Sequence, residues 1–176
     1  MSIEPWQLIS EEKVFEKYGR SVVCRKFQMP DGSISDFYVK KEKDVVCAVA
    51  LTPDNRVIMT RQFRPGPNKV ILDLPGGVVD KPNTPQEAIS KELLEETGYQ
   101  GKVELAGALL LDGYATQTQY CFVIKECIKQ SEQQLEEDEY IEIELLSLDT
   151  FYKYLRGGQL SDVGGGYMAL DYLGYL

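Results

Sequence analysis

Short apolar runs separated by turn sequences dominate the first half of the chain. Residues 20–28 and 34–41 are rich in strand-forming side chains and flank the turn sequence MPDGS, so they predict a β-hairpin. Residues 44–51 and 56–63 form a second such pair around the turn sequence TPDN. The first strand of that pair, DVVCAVAL, is apolar at nearly every position, which predicts burial on both faces of a sheet.

One helix near the middle of the chain has start and stop signals that agree with one another. Thr84 is the predicted N-cap, Pro85 occupies the first helical position, and Glu87 is the capping-box partner of Thr84. Gly98 is the predicted end of the helix. The segment VILDLPGG precedes this helix and reads as a short strand that ends in a glycine turn.

The second half of the chain continues with strands and ends with helices. Strands are predicted at 102–111, 118–126 and 140–147, followed by a helix capped by Ser147 and a last short helix within 164–175. This order predicts a mixed sheet with helices packed on it, an α/β or α+β sandwich.

Composition narrows the class of protein. The 176 residues fit one domain with a short N-terminal extension, and no apolar run approaches the roughly 18 residues of a membrane helix. The acidic N-terminus lacks the features of a signal peptide, so we expect a cytoplasmic protein. A net charge of -9 argues against nucleic-acid binding through a basic face. Four cysteines without CxxC spacing favour reduced core thiols over a disulfide or a zinc site.

Histidine is absent from the chain. Its absence excludes a Ser-His-Asp triad, a Cys-His pair and every histidine metal site. Acid-base chemistry must therefore use carboxylates, Lys, Tyr or Cys, and any metal ion must be bound through oxygen.

Three glutamates on the predicted helix could supply that oxygen. Glu92, Glu95 and Glu96 stand at i, i+3 and i+4, so their carboxylates lie on one helix face and repel one another. Lys91 offsets this repulsion only toward Glu95, whereas a divalent cation such as Mg²⁺ would convert it into binding. Gly76 and Gly77, which precede the helix, let backbone approach these carboxylates without a Cβ in the way.

The joint spacing of the glycines and glutamates resembles the signature of the Nudix family, G-x5-E-x7-R-E-U-x-E-E-x-G-U, where U is apolar. The 23 residues GVVDKPNTPQEAISKELLEETGY carry the match. The matching positions are Gly77, Glu92, Leu93, Glu95, Glu96, Gly98 and Tyr99. Two positions depart from it, since Asn83 replaces a glutamate and Lys91 replaces an arginine that pair with each other in the family. Asn83 and Lys91 could hydrogen-bond instead, without the bidentate fork of arginine.

The resemblance continues outside the signature, toward the branch of ADP-ribose and nucleotide-sugar pyrophosphatases. The segments TRQFR and LDLPGG carry it. It implies a Nudix-type α/β/α sandwich with a mixed sheet, in which residues 44–176 form the hydrolase domain. Residues 1–43 then form a β-rich extension, a β-hairpin through which that branch makes homodimers.

The resemblance also implies a metal site and a general base. The metal would be Mg²⁺, with Mn²⁺ as an alternative, held by Glu92, Glu95, Glu96 and the backbone of Gly76. Because a histidine is lacking, we expect the base to be a glutamate. The candidates are Glu96 and two loop residues, Glu137 and Glu139, for which a solvated acidic turn is the competing explanation.

Substrate contacts are the least determined part of the prediction. Arg61 and Arg64 are candidate phosphate or ribose contacts, or else members of ion pairs. Gly77 and Tyr18 are the remaining candidates, and Trp6 and Phe37 are further aromatic side chains that could stack a base or form a dimer core. The implied substrate is a nucleoside diphosphate linked to another moiety, such as ADP-ribose or a nucleotide sugar.

Two alternatives stay open. One is hydrolysis of dinucleoside polyphosphates or nucleoside triphosphates, for which Tyr114 gives some support. The other is a catalytically silent nucleotide-binding domain, which only Asn83 and Lys91 favour. ADP-ribose itself is questioned by Thr118 and Gln119, one of which stands where the branch carries a metal-binding glutamate.

Overall fold

A computed structural model describes residues 3–176, which form two compact units. One unit contains the described residues up to 43 together with 110–118, and the other contains 44–109 and 119–176. The elements in chain order are β1 (Gln7–Lys17), β2 (Arg20–Gln28), β3 (Ile34–Lys40), β4 (Val45–Leu51), β5 (Arg56–Arg64), β6 (Lys69–Asp73), β7 (Gly76–Val78), α1 (Pro85–Thr97), β8 (Tyr99–Leu110), β9 (Thr118–Lys129), β10 (Ile141–Ser147), α2 (Leu148–Arg156) and α3 (Val163–Tyr172).

The N-terminal unit is an antiparallel sheet in the order β1-β2-β3. Strand β1 was not predicted, because all eleven of its residues are exposed and its sequence therefore lacks the alternation that marks a half-buried strand. The Trp6 ring packs 5.6 Å from the Phe37 ring and 6.2 Å from the Phe27 ring. The 110–118 segment joins this sheet through the Lys40 backbone N–H, which donates to the Tyr114 carbonyl oxygen at 2.8 Å.

The larger unit is built on a mixed sheet in the order β10-β5-β4-β9-β8, with β6 paired to β5 and β7 paired to β4. Strand β4 runs parallel to β9 and antiparallel to β5. Side chains on β4 alternate between two cores. Val46, Ala48 and Ala50 pack with residues of α1, whereas Cys47 and Val49 pack with residues of α2 and α3.

Helices thus cover both faces of the sheet, which confirms the predicted α/β/α sandwich. Burial of β4 on both faces is also confirmed. Cys47, Cys121 and Cys127 are buried free thiols, as expected of core cysteines. Within residues 3–176, no helix is long and apolar enough to cross a membrane.

One local prediction was wrong. Residues 76–78 do not form a turn but a short strand, β7, which pairs antiparallel with β4 through Val46↔Gly77 and Cys47↔Gly76. The partner strand β4 lies about thirty residues upstream, so the local sequence PGGV does not predict the pairing. Because β7 also contacts α1, this small strand determines what the helix faces.

Candidate active site

Helix α1 has the predicted caps at both ends. The Thr84 hydroxyl accepts from the Glu87 backbone N–H, and the Glu87 carboxylate accepts from the Thr84 backbone N–H at 2.7 Å. Gly98 ends the helix in the left-handed conformation at φ 74, and its N–H donates to the Leu94 carbonyl oxygen at 2.8 Å. Ile89 and Leu93 are buried against the sheet. This register leaves the face with Glu92, Glu95 and Glu96 at the edge of the core.

The glycines of β7 lie directly against two of these glutamates. The Gly76 backbone N–H donates to the Glu96 carboxylate at 3.1 Å. A Cβ on Gly76 would overlap the Val46 carbonyl oxygen, and a Cβ on Gly77 would overlap the carboxylate of Glu92. Gly76 therefore requires glycine because backbone occupies the space of a Cβ, whereas a side chain at position 77 would displace the Glu92 carboxylate.

Burial makes this pair of carboxylates unusually basic. Burial raises the pKa of Glu96 to about 8, an effect that the Gly76 N–H counters and that the charges of Glu92 and Glu139 reinforce. Burial likewise raises the pKa of Glu92 to about 7, with Lys91 opposing the shift and Glu95 and Glu139 adding to it. Among the described residues, the Glu92 carboxylate has no hydrogen bond or ion pair of its own. Without a bound cation, burial therefore favours the protonated form of both carboxyl groups near neutral pH, and a cation that binds the ionised form would compete with those protons.

An acidic loop between β9 and β10 reaches the same place. The Gln134 backbone N–H donates to the Glu95 carbonyl oxygen at 2.8 Å, which ties the loop to the end of α1. Within the loop, the Glu139 carboxylate accepts from the Glu136 backbone N–H at 3.0 Å. Glu139 is half-buried and lies close enough to affect both Glu92 and Glu96, whereas Glu137 is exposed.

The two candidate arginines of β5 differ in how many guanidinium nitrogens donate hydrogen bonds within the protein. Arg61 donates from both Nε and Nη2 to Glu144, so its fork is occupied by a carboxylate. Arg64 donates only from Nε, to Asp73 at 2.5 Å. The two Nη nitrogens of Arg64 make no hydrogen bond within residues 3–176, and Arg64 is among the charges that Glu96 experiences.

The carboxylate that holds Arg64 belongs to a buried polar network that was not predicted. Asp73 is fully buried and also accepts from the Ser161 hydroxyl and, at 3.4 Å, from the Ser161 N–H. Asp162 accepts from the Gln119 amide at 2.6 Å. Gln119, which with Thr118 is one of the two residues that could stand where the resembled branch carries a metal-binding glutamate, therefore donates to Asp162. Only contacts between distant segments reveal this network.

Lys91 and Asn83 do not form the contact that the family pair makes. Lys91 Nζ lies 3.0 Å from the Glu95 carboxylate, the i,i+4 pair expected from the sequence. Within the described residues, no hydrogen bond joins Lys91 to Asn83, whose backbone N–H donates to the Asp80 carbonyl oxygen at 2.9 Å. The segment before α1 is braced by its own turn rather than by a pair across to the helix.

Tyr18 lies in the N-terminal unit, where it is almost fully exposed and has a positive φ of 50. The Lys17 ammonium group lies 4.8 Å from the centre of its ring. No contact of Tyr18 in its unit bears on a role in substrate binding, so that role stays a proposal.

Carboxylates near α1 are the candidate donors for a metal ion. Within residues 3–176, no three Asp, Glu, Cys or His side chains converge closely enough to form a ready-made metal site. The chemistry nevertheless fits a hard cation, because Glu92 and Glu96 offer desolvated oxygens that repel each other. To bind the ion, the Glu95 carboxylate would have to release its ion pair with Lys91.

The fold is thus an α/β/α sandwich in which buried carboxylates of α1 lie against the glycine strand β7. The sequence model of the NUDIX domain matches residues 41–161. The chain belongs to the Nudix family, and it is a Nudix hydrolase, as the signature predicted.

Comparisons with individual proteins agree with this family. The chain is 26% identical over 168 residues to the ADP-ribose pyrophosphatase of Bacillus subtilis (strain 168), covering 94% of this chain and 90% of that protein. It is 27% identical over 157 residues to the methanol dehydrogenase activator of Bacillus methanolicus, covering 88% and 85%. A solved structure, "Crystal structure of ADP compounds hydrolase", superposes with a TM-score of 0.84 at 17% identity over all of both chains, which shows the fold.

Proposed function

We propose that the protein is a Mg²⁺-dependent pyrophosphohydrolase that cleaves a nucleoside diphosphate linked to another moiety. ADP-ribose or a nucleotide sugar is the proposed substrate, giving a nucleoside monophosphate and a sugar phosphate. The observation that carries the proposal is that the carboxyl groups of Glu92 and Glu96 are buried beside each other, without an ion pair in the described residues, against the glycine backbone of β7. The names of two similar proteins, an ADP-ribose pyrophosphatase and, over 57 residues at 40% identity, a mouse ADP-sugar pyrophosphatase, support the substrate class.

Glu92, Glu95 and Glu96, with the carbonyl group of Gly76, are the residues that would hold Mg²⁺ or Mn²⁺. When bound, the ion supplies positive charge to the pyrophosphate and lowers the pKa of a water molecule. Glu92 and Glu96 contribute oxygens that burial has already stripped of water, so little rearrangement of solvent accompanies binding. Gly77, the proposed substrate contact of β7, lets the Glu92 carboxylate lie directly against the backbone of this strand.

Glu139 is the general base that we favour among the three candidates. Its charge acts on both Glu92 and Glu96, which is support for a carboxylate that faces the reacting phosphate. Glu96 already accepts from Gly76 and is a proposed metal ligand, and Glu137 is exposed. Removal of a proton from the attacking water by such a base contributes roughly 10²–10⁴ in rate.

Arg64 is the proposed phosphate contact in preference to Arg61. Its Nε is anchored on Asp73, so the two Nη nitrogens keep a fixed direction and can donate together to one phosphate group. Arg61 would first have to release Glu144.

We also propose that residues 1–43 form a dimerisation unit and that the protein is a homodimer. Strand β1 exposes Leu8, Ile9, Val14 and Phe15, which a free three-stranded sheet leaves in water. In such a dimer Tyr18 is the proposed contact to the base of the nucleotide. Light scattering tests the assembly, and a mass near the 19.9 kDa of one chain would contradict it.

A substrate panel with and without Mg²⁺ tests the proposed activity. ADP-ribose, nucleotide sugars, dinucleoside polyphosphates and nucleoside triphosphates are each incubated with the enzyme, and release of nucleoside monophosphate is measured. We expect the highest kcat/KM for ADP-ribose or a nucleotide sugar. Preference for a polyphosphate would move the substrate to the first alternative, and binding without release would indicate a silent domain.

A further inference from the structure

The acidic loop between β9 and β10 is closed at its base by one side chain. The Gln133 amide Nε2 donates to the carbonyl oxygen of Glu96 at 2.7 Å and to that of Ile141 at 3.1 Å. One carbonyl belongs to the last turn of α1 and the other to the first residue of β10. A single amide group therefore joins the two ends of the loop to each other and to the helix.

The loop segment just before Gln133 is fixed to the same helix end. The backbone N–H groups of Gln130 and Ser131 donate to the Gly98 carbonyl oxygen at 2.8 and 3.3 Å. A Cβ on Gly98 would overlap the Ser131 carbonyl oxygen, so the close approach depends on glycine there. With the Gln134 N–H bond to Glu95, these contacts satisfy carbonyl groups that the end of any helix leaves unpaired.

Beyond Gln134, residues 135–140 are held to one another rather than to the helix. Glu136 and Glu139 exchange two hydrogen bonds, from the Glu136 N–H to the Glu139 carboxylate and from the Glu139 N–H to the Glu136 carbonyl oxygen at 3.1 Å. These two bonds fix the turn internally, and the Gln133 amide is the side-chain group that ties the start of the loop to both α1 and β10.

We propose that Gln133 is a positioning residue for the hydrolytic reaction, acting by closing the base of the 134–140 loop so that Glu139 faces the glutamates of α1. This proposal rests on the proposed role of Glu139. It predicts a loss in kcat rather than in KM, because Gln133 lies at the base of the loop and contacts only backbone carbonyl groups.

Gln133→Met is the direct test, since methionine keeps the length of the side chain and removes the N–H donor. We expect kcat to fall about tenfold, the scale of a misplacement by a fraction of an ångström to one ångström, with KM within about twofold. Gln134→Met is the matched control, because the Gln134 side chain is exposed and makes no hydrogen bond within residues 3–176. Gln133→Lys restores N–H donors of similar reach and should recover most of kcat.

A double-variant cycle separates this proposal from the assignment of Glu139. If Gln133 acts through Glu139, adding Gln133→Met to Glu139→Gln causes no further loss of kcat. A second tenfold loss in that background would overturn the positioning role. Wild-type turnover of Glu139→Gln alone would instead overturn the proposed base.

Hydrogen exchange supplies a readout that does not depend on activity. In Gln133→Met, we expect faster exchange of the amides of 135–140, while the amides of α1 before its last turn keep wild-type protection. If Gln133→Met does not fold, the comparison of Gln133→Lys with wild type carries the test. The proposal would be overturned if Gln133→Met left both the hydrogen exchange of the loop and kcat unchanged. It would also be overturned if kcat of Gln133→Lys were as low as that expected for Gln133→Met.

Discussion

Two buried carboxylates in the larger unit, Asp73 and Glu96, differ in the hydrogen-bond donors and the charges that surround them. Asp73 is fully buried and is surrounded by donors, with Arg64 on one oxygen and Ser161 on the other. Glu96 is only 5% exposed, yet it accepts one hydrogen bond, from Gly76, and faces the charges of Glu92 and Glu139. Asp73 has hydrogen-bond donors on both of its oxygens. Glu96 accepts one hydrogen bond and lies beside groups of like charge.

The difference is the one expected between a structural carboxylate and one with the metal-binding role that we propose for Glu96. A buried charge surrounded by donors contributes to a fixed geometry, and its loss leaves those donors unpaired. A buried charge beside other charges of the same sign costs folding free energy, and such sites are often functional. By burial alone, Asp73 would be a stronger candidate for a functional residue than Glu96. Our proposal therefore rests on the hydrogen-bond donors and charges around each carboxylate.

The largest effect expected from this comparison is on activity. Glu96→Gln should lower kcat by about 100-fold or more, because it removes an ionised oxygen from the proposed metal site. It should not lower the free energy of unfolding of the metal-free protein, since glutamine can still accept from the Gly76 N–H and never carries a charge that burial would penalise. Kinetics at saturating Mg²⁺ and urea unfolding measure the two effects, and Glu95→Gln should show the same loss of kcat.

Glu87→Gln is the matched control on the same helix. Glutamine at this position can still accept from the Thr84 N–H, so both activity and stability should stay near wild type. Wild-type turnover of Glu96→Gln or Glu95→Gln at saturating Mg²⁺ would remove the metal site from these residues.

Asp73→Ala should have the opposite profile. It leaves the Arg64 Nε and the Ser161 backbone N–H without their acceptor, which we expect to cost about 1–3 kcal/mol in the free energy of unfolding. KM should rise because Arg64 loses its fixed direction, while kcat stays within a few-fold of wild type. A fall in kcat as deep as that of Glu96→Gln would remove the distinction between the two carboxylates.

A smaller effect concerns the pH dependence of stability without metal. The folded-state pKa values of Glu92 and Glu96, about 7 and about 8, lie above the unfolded value near 4.5. Between these values the folded state binds more protons than the unfolded state, so stability should fall as pH rises from about 4.5 to 8. Each unit of separation corresponds to about 1.4 kcal/mol, of which relaxation and water will remove part.

Urea unfolding in EDTA from pH 5 to pH 8.5 measures this slope. Glu96→Gln should flatten it, and Mg²⁺ should reduce the fall at high pH because the ion binds the ionised carboxylates. A slope that is unchanged in Glu96→Gln would show that the dependence arises elsewhere.

The smallest effect concerns the ion pair between Lys91 and Glu95. Lys91→Met should tighten Mg²⁺ binding by about twofold to fivefold, the size expected when an exposed ion pair no longer competes for the carboxylate. Calorimetric titration of the metal measures this, with Lys102→Met as a control, since Lys102 pairs with Glu126 rather than with a glutamate of α1. Weaker binding in Lys91→Met would mean that Lys91 helps to orient Glu95.

The sequence predicted the features that depend on neighbouring residues. Thr84, Glu87 and Gly98 define the ends of α1 through local hydrogen bonds, so its boundaries were predictable. Strand β4 was predictable because its apolar run is buried on both faces. Family resemblance contributed the acidic loop, but it left Glu137 and Glu139 equivalent.

The remaining features depend on contacts between distant segments. Strand β1 has no buried position and so no sequence signal. Gly76–Val78 becomes a strand only because β4 offers it a partner. The preference for Glu139 over Glu137 follows from the partial burial of Glu139 and from the effect of its charge on Glu92 and Glu96, which lie about forty residues upstream.

The end of α1 has a further consequence for how the protein responds to a bound cation. The carbonyl end of a helix carries a partial negative charge of roughly half an elementary unit, which favours lysine or arginine in the last turn. Residues 94–97, all of them described, contain no basic side chain and instead carry Glu95 and Glu96. The carbonyl groups at this end therefore meet only the neutral N–H groups of residues 130–134, and no cationic side chain of the last turn offsets the macrodipole. We expect a divalent ion there to act as the missing positive cap, so that the melting temperature rises with metal concentration even without substrate.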